Sequence, residues 1–335
     1  MKIAVDAMGG DHAPHEIVKG AVKAAQTYDV NVVLVGVKDE VQKHLSQILP
    51  HGDSRISIVH AEQVVNMDDK PSQIIRSKRR SSLHVGLGLV KEGEASAFYS
   101  AGNTGAVMAA AILILRTLDG IDRPAIATAL PSLNGHSVLI DAGANVDSKV
   151  ENYLHFAIMG SAYAKAILGI ETPKVGLLSI GEEDVKGNEI TKSAFVRLKE
   201  CKALKFIGNI EPKELFKGIA DVMVCDGFIG NVALKSSEAV ASFIGSVFKG
   251  ELKRSLLVKL GALLMYPALL RIKHRADPDE YGGAPLLGVG GICLIGHGRA
   301  NADTVKNGVR VAKDMVLSKM NESIKIDVSN SLNLL

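Results

Sequence analysis

The sequence predicts an α/β protein with three layers, α/β/α, built on a mainly parallel sheet. Short β-branched runs alternate with longer stretches of helical period from one end of the chain to the other. The strand runs are continuously apolar, as in 31–35 (Asn-Val-Val-Leu-Val), so both of their faces need covering. Glycines recur directly after these runs, as they do where an open α/β sheet gathers its ligand loops.

In order, strands are expected at 3–5, 31–35, 56–59, 97–99, 137–140, 174–179, 205–207, 221–224 and 292–295. Helices are expected at 14–27, 106–116, 150–168 and 301–320. Pro14 suits a first helical turn, where its missing N–H is not needed, and Asn301 suits a cap. No low-complexity linker and no repeat interrupts the pattern. One α/β catalytic domain over 1–330 is therefore expected, with 231–276 as a helical, basic-amphipathic protrusion within it.

Composition excludes several functions. The 335 residues include no Trp and only 4% aromatics, and the net charge is +3. Stacking platforms for single strands and a global basic field are both missing, so no nucleic-acid partner is expected. Cys201, Cys225 and Cys293 are odd in number and lack metal-type spacing, which fits packed thiols in a reducing cytoplasm. Asp6 follows only three apolar residues, unlike a signal peptide, and no run approaches the roughly 20 apolar residues of a spanning helix. A cytoplasmic protein with peripheral membrane contact is the expectation.

The candidate site residues cluster in the glycine turns. Ser100, Gly102, Asn103, Thr104 and Gly105 follow a strand and open an apolar helix, where unpaired amides and the helix dipole favour an anion. No Gly-Lys dipeptide and no G-x-G-x-x-G occurs, so neither a Walker A loop nor a dinucleotide fingerprint is present. Asp6, Asp11 and His12 surround the first turn and make only a weak metal signal; Asp11 also reads as a helix-cap residue and His12 as a proton donor to a leaving thiolate. Asn145 tips the turn after 137–140, Lys186 the one after 174–179, and Asn231 and Lys235 follow 221–224. Asp6, His12, Asn145 and Lys186 are the candidate catalytic groups. Asn231 and Lys235 join the Ser100–Gly105 set as candidate phosphate contacts, and His297 and Arg299 offer further positive charge. Each of these glycine turns, taken alone, also reads as an ordinary turn.

From Lys249 to Arg275 the chain carries seven Lys or Arg and one acid, Glu251, with leucines at near-helical spacing broken by Pro267. Such a segment suits an anionic membrane surface, an acidic carrier protein or a dimer interface.

Taken together, the segment from Asp6 to Pro14, that from Ser100 to Ala106, Asp141 to Asn145, Cys225 to Asn231 and Tyr281 to Leu287 resemble, in order, the PlsX family. These are the acyl-carrier-protein:phosphate acyltransferases of bacterial phospholipid synthesis. The resemblance runs from Met1 to about Met320 and implies a fold similar to isocitrate and isopropylmalate dehydrogenases and phosphate acetyltransferase. It implies transfer of a fatty acyl group from acyl carrier protein to inorganic phosphate by a homodimer with no metal or other cofactor. The acyl phosphate then passes to a membrane glycerol-phosphate acyltransferase. Phosphate is itself the nucleophile, so no Ser or Cys nucleophile is needed, though Cys225 beside Asp226 offers an acyl-enzyme rival. A coenzyme A-dependent phosphate acyltransferase, a decarboxylating dehydrogenase and a non-catalytic scaffold binding acyl carrier protein are the competing readings.

Overall fold

A computed structural model describes residues 1–252, 255–275 and 278–333. The amino-terminal half runs β1 (Lys2–Asp6), α1 (His15–Tyr28), β2 (Asn31–Gly36), α2 (Lys38–Ile48), β3 (Ile56–His60), α3 (Pro71–Ser77), α4 (Ser82–Lys91), β4 (Ala97–Ser100) and α5 (Thr104–Leu115). Then come β5 (Ala125–Ser132), β6 (Gly135–Ile140), α6 (Val150–Leu168), β7 (Lys174–Leu178), α7 (Glu189–Glu200), β8 (Lys205–Ile210) and β9 (Val222–Val224). The chain closes with α8 (Gly227–Leu252), α9 (Leu256–Leu264), α10 (Tyr266–Arg275), β10 (Ala284–Leu287), β11 (Ile292–Ile295), α11 (Ala302–Leu317) and α12 (Met320–Asn333).

The described strands form one sheet in the order β3-β2-β1-β4-β11-β10-β5-β6-β9-β7-β8. Strands β3, β2, β1, β4 and β11 are mutually parallel, as are β6, β9, β7 and β8. Between these blocks, β10 is antiparallel to both β11 and β5, and β5 is antiparallel to β6. The two parallel blocks therefore run in opposite directions. Strands β5 and β10 lie outside the nine expected from sequence; Ala-Ile-Ala-Thr-Ala-Leu-Pro-Ser and Ala-Pro-Leu-Leu lack a β-branched run, and each contains a proline.

One face is covered by α1, α2, α6, α7, α11 and α12 over the largest core, centred on residues such as Ile17, Tyr163 and Val305. On the other face α3, α4 and α5 pack over the first block, with Leu83, Leu87 and Val107 in contact with the sheet. Over the second block, among the described residues, that face is covered by α8, seated through Ile229, Ala233 and Leu234. This thin cover leaves room beside the sheet. Asn301 caps α11 by accepting from the Asp303 and Thr304 amides. Asp11 caps nothing; its amide donates to Gly298, and α1 starts after Pro14.

Within 231–276 the described residues are mostly helical, as α8 from residue 231, then α9 and α10; Ala276 lies outside the described residues. So do Lys253 and Arg254 of the basic run. Leu257, Leu260, Leu263 and Leu264 of α9 are exposed. No helix among the described residues is long and apolar enough to cross a membrane.

Candidate functional site

The site forms where α5 and α8 flank the centre of the sheet. At the end of β4, buried Ser100 donates its hydroxyl to Asp6 Oδ2 at 2.8 Å and accepts the Gly102 amide at 3.1 Å. Asp6 Oδ1 also accepts the Met8 amide. Burial pushes the Asp6 carboxyl above the usual carboxylate range, against the pull of the Ser82 and Ser100 hydroxyls and the Met8 and Gly9 amides. Asp6, Ser100 and Gly102 are thus bonded to one another and tie the first two turns together. Gly9 sits so close that a Cβ would meet Asp6 Oδ2 at 2.7 Å and Gly102 N at 2.8 Å. We expect Ser100→Ala to cost about 1–3 kcal/mol, because it strands a buried acceptor and a buried donor; chemical denaturation measures it.

Asn103 is the α5 cap. Its Oδ1 accepts the Ala106 amide at 3.0 Å, and its Nδ2 donates to the carbonyls of Met67 at 2.7 Å and Asp69 at 3.1 Å. Its side chain holds the 66–70 loop against the helix mouth. Val107 donates to the Asn103 carbonyl, which leaves the Thr104 and Gly105 amides as the first-turn donors without an intrahelical acceptor. Gly105 is fixed there by Pro71, whose Cγ would lie 2.8 Å from an added Cβ. We expect Asn103→Ala to lower stability by about 1–2 kcal/mol, the usual worth of a cap, again by chemical denaturation.

Thr104 opens onto a cleft of about 370 Å³ that also receives Asn231 and Lys235 from α8 and His297 and Arg299 from the turn after β11. Lys235 Nζ lies 2.8 Å from Glu238 Oε2. The Arg299 amide donates to His297 Nδ1 at 3.2 Å, which fixes the tautomer carrying its proton on Nε2. Two cations, an imidazole N–H, an amide side chain and a helix mouth converge on one space. Such groups favour an anion, while Glu238 and Asp279 line the same space.

The remaining sequence candidates do not line this cleft. His12 is exposed on the turn after β1 and Lys186 on the turn after β7. Asn145 directs its amide to the Pro124 carbonyl and Asp141 Oδ2, both at 2.8 Å. Asp141 is the counterpart of Asp6 in the second block. It is fully buried and accepts from Ile126, Gly143, Ala144 and Asn145 amides, and burial raises its carboxyl despite them. Glu238 and Tyr281 line the cleft and are not among the candidate site residues read from sequence. Tyr281 had a signal, since it opens the Tyr-Gly-Gly-Ala-Pro turn; Glu238 had none beyond its place one turn after Lys235. Among the described residues, no group of three or more His, Cys, Asp or Glu side chains is placed to hold a metal ion.

A family model described as "Fatty acid synthesis protein" matches residues 1–323. A phosphate acyltransferase of Pelotomaculum thermopropionicum is 49% identical over 330 residues, covering 98% of this chain and 96% of that protein. One from Heliobacterium modesticaldum is 51% identical over 316 residues, 94% of each chain. Among solved structures, a phosphotransacetylase from Streptococcus pyogenes superposes with a TM-score of 0.67 at 17% identity, covering 95% of this chain and 94% of its own. A 4-hydroxythreonine-4-phosphate dehydrogenase from Klebsiella pneumoniae gives 0.52 at 14% identity, covering 94% and 99%. These two share the fold.

Proposed function

Since the chain belongs to the fatty acid synthesis protein family of phosphate acyltransferases, we propose that it moves a fatty acyl group from acyl carrier protein to inorganic phosphate, making an acyl phosphate. The observation that carries this reading is the convergence of Thr104, Asn231, Lys235, His297 and Arg299 on one cleft at the mouth of α5. Phosphate sits against the Thr104 and Gly105 amides, with Lys235 and Arg299 balancing its charge and the Asn231 amide and His297 Nε2–H adding donors.

Held there, a phosphate oxygen attacks the thioester carbonyl carbon. The C–O bond forms, the C–S bond breaks, and the hydrogenphosphate proton passes to the departing thiolate. Products are an acyl phosphate and the free carrier thiol. Fixing the nucleophile against the carbonyl contributes up to about 7–11 kcal/mol in favourable cases. Asp6, Ser100, Gly102, Asn103 and Asn145 act as positioning residues that set the turns. Purified chain, acyl carrier thioester and phosphate are mixed and free thiol is followed. Release that does not depend on phosphate sinks the reading, and coenzyme A thioesters in the same assay separate the two donor classes.

A covalent route through Cys225 is disfavoured by its surroundings. The thiol is buried, and burial with Asp141 and Asp226 nearby pushes its pKa well above the ordinary value, so thiolate is scarce. Cys225→Ser is expected to keep full turnover; a dead but folded variant restores the acyl-enzyme route.

The exposed leucines of α9 among basic residues suit an anionic membrane surface, where the acyl phosphate reaches a membrane glycerol-phosphate acyltransferase. Liposome flotation is expected to be lost when Leu260 and Leu263 become Glu. On α8 the exposed Phe243, Val247 and Phe248 suit a second copy in a homodimer.

A further inference from the structure

An apolar groove of about 890 Å³ runs between α8 and the thinly covered face of the second block. Leu130, Leu178 and Leu215 make a buried floor. Its walls include Phe216, Phe228, Val232 and Ile244, which stay exposed, Phe228 at 62%. Apolar walls left in water around a concavity of this size mark a ligand site.

Among the described residues, the titratable groups of this groove are gathered at one place. Its titratable lining residues are His136, Glu238 and Tyr281. Glu238 and Tyr281 also line the phosphate cleft, and the His136 ring packs edge-on against Tyr281 with centroids 5.0 Å apart. Thr128, Ala129 and Leu234 are shared as well, so groove and cleft are continuous. An occupant must therefore have an anionic or polarised head and a long uncharged tail.

We infer that this groove holds the hydrocarbon chain of the acyl donor, with the reacting carbonyl at the Lys235–Glu238 junction. The assignment rests on the acyl-transfer reading above. A second copy of the chain has a separate seat, because Phe243, Val247 and Phe248 of α8 are exposed and do not line the groove. Small residues on α8 leave the space open, above all Ala241 and Ser237. They set how much chain the groove admits.

Photolabelling tests this directly. The wild-type chain is exposed to an acyl carrier thioester whose long chain ends in a diazirine, and the labelled peptides are mapped. Label is expected at residues 215–216 or on α8 between Phe228 and Ile244. Label confined to α9 and α10, or none because a second copy closes the groove, overturns the assignment. In parallel, kcat/KM is expected to rise roughly tenfold for each two carbons of chain buried. Ala241→Trp should cut the ratio of long-chain to short-chain kcat/KM by at least about tenfold; an unchanged ratio also overturns it. If acyl phosphate forms while label misses the groove, the groove assignment alone fails. If label lands in the groove and no acyl phosphate forms, the reading of the reaction fails instead.

Discussion

Asp141→Ala is expected to lower the unfolding free energy by about 3–5 kcal/mol, among the largest single-residue effects in this chain. Oδ1 accepts the Ile126, Gly143 and Ala144 amides at 3.0, 3.1 and 2.9 Å. Oδ2 accepts the Asn145 amide at 2.7 Å and its side chain at 2.8 Å. Removing the carboxylate leaves these donors facing a void where an unmet buried donor costs about 1–3 kcal/mol. Water entering the void recovers part of the loss, so the sum stays below five full penalties. The damage reaches the site, because the Asn145 carbonyl accepts the Gly227 amide at 2.7 Å and so seats the start of α8. Urea denaturation should show a lower midpoint at unchanged slope. Asp141→Asn should fall between, since one oxygen remains while the new NH2 opposes N–H donors. A loss under about 1 kcal/mol for the alanine variant would mean the turn is held by something else.

How far the fold could be read depended on what each element needed from its sequence. Val-Val-Leu-Val in β2 and Ile-Cys-Leu-Ile in β11 are buried on both faces and show it as uninterrupted apolar runs. Strand β5 has three alanines in its eight residues and is proline-interrupted, so it carried no such run, although Asn134-Gly135 at its end is a hairpin signal. That hairpin reverses the second block, and strand direction leaves no trace in periodicity. The helix mouth at Thr104 was legible because strand, glycine turn and apolar helix are contiguous. What Asp6, Ser100 and Asn103 do was not. A polar side chain at a strand end has the same spacing whether it faces a ligand or the next turn, and here all three are bonded to protein. Lys235 and Arg299 meet across 64 residues of sequence, which only the sheet order brings together.

Lys235→Met is expected to lower kcat/KM for phosphate about 10²-fold, equivalent to roughly 3 kcal/mol, mostly as a higher phosphate KM. Lys235 is paired with Glu238 at 2.8 Å, and both side chains are about half exposed. Such a pair is worth only about 0–1 kcal/mol, because water screens it and two flexible chains must be held. On the proposed reading, a phosphate dianion offers more charge than the carboxylate and gains Arg299 and the α5 mouth at the same time, so it would displace Glu238. The corollary separates a phosphate contact from a structural lysine. Glu238→Gln removes the competitor and should lower phosphate KM, whereas Lys235→Met raises it, and both shifts shrink as salt is added. Initial rates across a phosphate titration at low and high ionic strength read all of this. A Lys235→Met enzyme with wild-type phosphate KM would leave the cleft without its principal cation and move the reacting anion elsewhere.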